Sequence, residues 1–308
     1  MRVIRQTLPA LVVVLSLALL GAGCGPQTDE AATPAAGAAP DAAVLRWTAI
    51  PDANAELLQQ KYDPISAYLE GKLGVPVEYV PVADYKASVE AFKAGDVQLA
   101  WFGGLTGVQA RVAVPGARAI AQGEEDPQYR SYFIAHTSTG IDKSDAFPLA
   151  LGDVPFTFGS ESSTSGRLMP EFFLEQETGK SPAEFFTAGF SFSGAHDLTA
   201  RQVADGGKIK AGVLNYKTYD KMVADGTIDP EVARIVWVTP PYADYNFTAH
   251  PRLDAMFRAG FVEELQAALV AMSDRALLDA FPRKSLIAAE NSDFDGIADV
   301  ARSLGLIR

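Results

Sequence analysis

The stretch Phe156-Thr157-Phe158-Gly159-Ser160-Glu161-Ser162-Ser163-Thr164-Ser165-Gly166-Arg167-Leu168-Met169-Pro170-Glu171-Phe172-Phe173-Leu174 decides how the chain reads. Its apolar start predicts a strand, its end a helix, and between them lies a hydroxyl-rich turn closed by Gly166. A helix N-terminus leaves its first N–H groups unpaired and carries partial positive charge, so this turn suits an anion. The same residues also read as a Ser/Thr N-cap on an ordinary strand-to-helix turn. Pro170 has no N–H and clashes with the carbonyl four residues back, so the helix either kinks early or starts near Leu168.

Outward from that turn, strand and helix alternate. Residues 44–50 read as a strand, and Pro51-Asp52 leads to a helical stretch reaching Leu73, with Asp63-Pro64 marking a second helix start inside it. Residues 77–81 and 97–102 are further strands. Between them Asp84 caps a helix that sets Tyr85, Val89 and Phe92 on one face. Residues 117–122 and 131–135 continue the strands. A second set follows from residue 155, with strands at 156–159, 190–192, 211–214 and 233–238. Helices follow residue 165 and span 198–204 and 218–224. Residues 245–249, a helix aligning Phe261, Leu265, Leu269 and Met272, and a closing helix at 297–304 end the chain. This alternation predicts an α/β architecture with largely parallel sheets.

The 308 residues are enough for two lobes, and 48% hydrophobic with 21% charged residues is the composition of a folded soluble protein. Arg2 and Arg5, the apolar run 8–20 and small residues before Cys24 form a secretory signal over residues 1–23. The only cysteine stands at the cleavage point, as in a bacterial lipoprotein, which makes Cys24 the lipidation site; a plain signal peptide or an uncleaved anchor is the alternative. Residues 24–43, without a large apolar side chain, form a flexible tether. Without Arg2 and Arg5 the chain carries 24 basic and 38 acidic side chains, a net −14. That argues against nucleic acid or an anionic membrane surface as a partner.

Enzyme signatures are missing. His136, His196 and His250 have no metal-ligand spacing, and there is no nucleophile elbow, Walker loop or dinucleotide fingerprint, so neither a metal nor a cofactor is expected. Three further segments follow strands, where open α/β sheets bind ligands. Trp101-Phe102-Gly103-Gly104 offers either bare amides beside aromatic rings or a core aromatic pair with a tight turn. Ser193-Gly194-Ala195-His196-Asp197 opens a helix, with Asp197 as its N-cap or as a group facing a cleft. Residues 240–246, Pro-Pro-Tyr-Ala-Asp-Tyr-Asn, are a hinge crossing or a surface turn.

Taken in order, Ile50-Pro51-Asp52, Val82-x-Asp84-Tyr85, residues 100–104, 158–166 and 192–197, Leu214-Asn215 and residues 240–246 resemble the phosphonate and phosphite substrate-binding proteins of ABC importers, most closely a subgroup labelled selenate-binding. The resemblance covers residues 44–306. It implies a type II periplasmic binding protein fold, two α/β lobes joined by two crossing strands, with lobe 1 over residues 44–135 and 241–308 and lobe 2 over 136–240. The implied site is Ser163, Thr164 and Ser165 with Tyr85, His196 and Asp197, and Trp101, Gly103, Tyr242 and Asp244 join it in the cleft. The implied role is capture of a small tetrahedral oxyanion by an exported, lipid-anchored monomer and delivery to the permease and ATPase subunits, not catalysis. Selenate, sulfate or a small organic ligand, and a sensor or enzyme component, are the alternatives. An oxyanion held by hydroxyls and amides needs no buried cation; Arg167 points either in or out. If Asp197 faces the cleft, its carboxylate selects an anion that still carries a proton, as phosphite and phosphonates do near neutral pH and sulfate and selenate do not.

Overall fold

The computed structural model describes residues 43–52 and 55–307, so the signal segment, the tether and Cys24 lie outside the described residues. Among the described residues eleven strands form two sheets. They are β1 Leu45–Ala49, β2 Val77–Tyr79, β3 Leu99–Phe102, β4 Arg118–Gly123, β5 Ser131–His136, β6 Phe156–Phe158, β7 Phe190–Phe192, β8 Ala211–Asn215, β9 Ala233–Val238, β10 Asn246–Ala249 and β11 Leu286–Ala288. The first sheet has the order β11-β4-β10-β3-β1-β2 and the second β7-β6-β8-β5-β9.

Both sheets are mixed rather than largely parallel. The βαβ units give the parallel pairs β1 with β2 and β3, and β6 with β7 and β8. The strands that enter each sheet from the other, β5 and β10, run antiparallel to both their neighbours. The reversal comes from the crossings themselves. The chain leaves the first sheet after β4 and returns after β9, and the two crossing segments pair with each other. Tyr129 and Tyr242 exchange backbone hydrogen bonds at 2.9 and 3.0 Å, and the Asp244 N–H donates to the Asp126 carbonyl at 3.0 Å. Residues 131–135, expected with the first lobe, therefore belong to the second sheet. Their apolar pattern marks them as a strand but carries no information about its neighbours.

The helix Ala55–Leu73 is continuous, and Asp63-Pro64 starts no second one. Pro64 removes one hydrogen bond, but Tyr62, Ile65, Leu69 and Leu73 all bury on the same face, and Ser66 Oγ accepts from the Trp47 indole at 2.8 Å. The helix Tyr85–Ala94 starts as read: the Asp84 carboxylate accepts from the Ala87 N–H at 2.7 Å, and Tyr85, Val89 and Phe92 are buried. Phe261, Leu265, Leu269 and Met272 are buried as well. Among the described residues no helix is long and apolar enough to cross a membrane.

Candidate ligand-binding site

The serine turn follows β6 and winds as a wide π-helical turn over Thr164–Leu168 before the α-helix Met169–Thr178 begins. This geometry accommodates Pro170. The Gly166 carbonyl, four residues before it, is turned out of the helix and accepts from the Gly159 N–H at 2.8 Å. Both glycines are required by that contact, since a Cβ on Gly166 would lie 3.0 Å from the Gly159 Cα and 2.9 Å from the Ser163 Oγ. Ser163 is the N-cap, its Oγ accepting from the Gly166 N–H at 2.9 Å. Thr164 and Ser165 lie in the first turn, where N–H groups precede the intrahelical ladder. Ser163, Thr164 and Ser165 are all buried.

A helix of the first lobe, Gly104–Ala113, aims its own N-terminus at this turn. The Gly104 N–H donates to Asp244 Oδ1 at 2.7 Å, and the Leu105 N–H donates across the lobes to Thr164 Oγ1 at 2.9 Å. Gly103 permits the approach: a Cβ there would stand 3.1 Å from Thr164 Oγ1 and 3.2 Å from Asp244 Oδ1. Asp244 Oδ1 also accepts from the Tyr245 N–H at 2.9 Å, while Oδ2 is buried without a partner. Burial pushes the Asp244 carboxyl up, against the pull of these two N–H groups and of the Thr164 and Ser165 hydroxyls.

Two more groups meet there. Tyr85, first residue of its helix, has a buried hydroxyl close to the Ser163 side chain, yet it makes no hydrogen bond of normal geometry. Burial raises its pKa, so it remains a phenol and can donate. His196 opens the helix His196–Ala204, and its Nδ1 accepts from the Asn215 N–H at 3.3 Å. The proton therefore sits on Nε2, which lies 3.5 Å from Ser163 Oγ. Burial lowers the His196 pKa to about 3, so the ring is a neutral donor. Tyr85 Oη, His196 Nε2 and Ser163 Oγ thus gather as uncharged groups near the Asp244 carboxylate. Arg167 takes no part: it pairs with Glu171 and lies over the Phe192 ring.

The other sequence candidates divide. Trp101 is a core aromatic, packed on Tyr245, Phe247 and Phe281. The Tyr242 hydroxyl is bonded to Ser131 Oγ, which in turn donates to the Ser165 carbonyl at 2.6 Å, so Tyr242 braces the turn from a crossing segment. Asp197 is not the N-cap; Ala195 holds that place, and the Asp197 carboxylate lines a separate cavity of about 500 Å3 together with Asp52, Trp101, Asn215 and Tyr245. Asn215 and Asp52 belong to segments that carry the resemblance but have no site role assigned in the sequence reading. Asn215 matters through its backbone N–H, which no side-chain pattern reveals.

Residues 47–294 match the family described as ABC transporter, phosphonate, periplasmic substrate-binding protein. The chain belongs to this family of substrate-binding components of ABC importers and is not an enzyme. Over 272 residues, 86% of this chain and 91% of the relative, it is 36% identical to the probable ABC transporter phosphite binding protein PhnD1 of Prochlorococcus marinus strain MIT 9301. It is also 32% identical over 246 residues to the phosphate-import protein PhnD of Mycolicibacterium smegmatis, covering 77% of this chain and 74% of that one. The solved structure of PhnD1 from Prochlorococcus marinus in complex with methylphosphonate superposes with a TM-score of 0.80 at 35% identity, covering 86% of this chain and 99% of that chain.

Proposed function

We propose that this protein captures a small, singly protonated phosphorus oxyanion, phosphite or a short phosphonate, and presents it to an ABC permease. In this reading lobe 1 comprises residues 44–130 and 241–308 and lobe 2 residues 131–240, the first crossing lying just before Ser131. The ligand lies between them on Tyr85, Ser163, Thr164, Ser165, His196 and Asp244, and Cys24 carries the lipid that keeps the monomer at the cell envelope. The single observation that carries the proposal is the unpartnered, buried Asp244 Oδ2 near a set of uncharged donors. Amide, hydroxyl and imidazole N–H groups stabilise anionic oxygens through charge-assisted hydrogen bonds. The carboxylate accepts from a P–OH and repels an oxyanion without a proton. Selectivity that the sequence reading assigned to Asp197 thus passes to Asp244. Placing like charge against like costs several kcal/mol, enough to reject sulfate and selenate.

Calorimetric titration with phosphite, methylphosphonate, sulfate and selenate tests this. The wild-type protein should bind the two phosphorus ligands and reject the other two, and Asp244→Asn should narrow the gap by weakening phosphite and admitting sulfate. Sulfate or selenate binding as tightly as phosphite to the wild-type protein would sink the proposal.

A further inference from the structure

The oxyanion site and the 500 Å3 cavity draw on adjacent residues of the chain. Asp244 belongs to the site while Tyr245 lines the cavity; His196 belongs to the site while Asp197 lines the cavity. Four hydrogen bonds close a ring here. The Tyr245 hydroxyl donates to Asp52 Oδ2 at 2.9 Å and accepts from Asn215 Nδ2 at 3.3 Å. The Asn215 N–H donates to His196 Nδ1 at 3.3 Å, and the His196 N–H donates to the Asp52 carbonyl at 3.4 Å. The ring joins the loop after β1, the second crossing segment, the end of β8 and the start of the helix His196–Ala204, so it is complete only when the two lobes meet.

Tyr245 is held in this ring against its backbone preference. Its φ of 29° lies in the left-handed region, which non-glycine residues seldom adopt. Its ring is stacked on Trp101 and lies under the Arg283 guanidinium, which is itself paired with Asp126. The twist at Tyr245 places its N–H on the Asp244 carboxylate and its hydroxyl on Asp52, joining the two through one residue.

We propose that the hydrogen-bonded Asp52–Tyr245 pair is a size filter that walls the oxyanion site off from the neighbouring cavity and restricts ligands to those with a small substituent on phosphorus. The inference rests on the ligand class proposed above. The cavity behind the wall is several times the size of a methyl group and has aromatic sides formed by Tyr62, Trp101 and Tyr245. A propyl chain has room there once the wall gives way. Asp52 holds the first-lobe end of the wall; Asp52→Ala removes its carboxylate from Tyr245 but keeps the backbone carbonyl that accepts from the His196 N–H, which loosens the wall while leaving the oxyanion donors in place.

The test is calorimetric titration of phosphite, methylphosphonate and propylphosphonate into the wild-type protein, Asp52→Ala and Tyr245→Phe. Each extra methylene is worth about 10- to 200-fold in a shaped pocket, so the wild-type protein should bind propylphosphonate at least about 100-fold more weakly than phosphite. In both variants that ratio should shrink by about tenfold or more, with methylphosphonate intermediate. Tyr245→Phe keeps the buried ring, and Asp52→Ala acts at a half-buried position, so a folding defect in one leaves the other informative. Propylphosphonate binding to the wild-type protein as tightly as phosphite, or an unchanged ratio in both variants, overturns the filter while leaving the oxyanion reading intact. Failure of the wild-type protein to bind any phosphorus ligand overturns the oxyanion reading itself, and the filter falls with it.

Discussion

His196 shows how a neutral donor is made from a residue that is ordinarily half charged. Burial removes the solvent that stabilises imidazolium, and the Asn215 N–H occupies the nitrogen that would otherwise take the proton. Its pKa falls from 6.5 to about 3, so the folded state binds fewer protons than the unfolded state between those values. Stability from this group is therefore full above the unfolded pKa and is lost as pH falls toward the folded one. Between pH 6.5 and 5 the loss is on the order of 2 kcal/mol. Urea unfolding at pH 7 and pH 5 should show His196→Gln losing less stability on acidification than the wild-type protein; equal losses would mean that the ring is charged in the fold. The sequence reading puts His196, the serines, Asp197 and Asp244 in one cleft, and the structure sets His196 beside Ser163 and Asp244 beside Thr164. Asp197 adjoins His196 in the chain, yet on a helix consecutive side chains diverge by about 100°, so Asp197 lines the neighbouring cavity while His196 meets Ser163. Asp244 reaches the Gly104 N–H through the crossing geometry, which the sequence marks only by the resemblance of residues 240–246.

The proposed site is built where two helix starts confront each other, the π-helical turn at Thr164 and the helix Gly104–Ala113. Gly103 is the spacer. Its φ of −73° would suit any residue, so its role is clearance between Thr164 Oγ1 and Asp244 Oδ1. Gly103→Ala should leave the separate lobes sound and obstruct their approach. We expect ligand affinity to fall by about 1–3 kcal/mol, the cost of overpacking, with a much smaller change in the ligand-free melting temperature. An affinity within twofold of wild type would show that the helix does not come this close when ligand is bound. At this scale most elements were legible, because helix caps and apolar faces are local signals: Asp84 and the register of Phe261, Leu265 and Leu269 were read correctly. Pro64 was misread because tertiary burial of Tyr62 and Ile65 outweighs one lost hydrogen bond. Pro170 left two readings open, and a π-helical turn, which has no sequence signature of its own, provides a third.

At the scale of the whole molecule, binding is a balance between open and closed lobes, and contacts that exist only when the lobes meet add to ligand affinity. Besides the Leu105 to Thr164 and His196 to Asp52 bonds, one ion pair fits this description. Lys217, at the start of the helix after β8, lies 3.0 Å from Glu125, which follows β4 on the way out of the first sheet. Their side chains are 20% and 17% exposed, enough shelter to lift the pair above the usual worth of a surface salt bridge but enough water to limit its desolvation cost. We expect Lys217→Met, which keeps the aliphatic stem, to weaken phosphite binding by about 0.5–1.5 kcal/mol through the closed state alone. Glu125→Gln should do the same. The double variant should be no worse than either single one, because once one partner is gone the other has nothing left to lose. Calorimetric affinities for the four proteins give the coupling directly. A coupling energy of zero, or single variants that lower the ligand-free melting temperature as much as they lower affinity, would place the pair within one rigid unit and remove it from the closing motion.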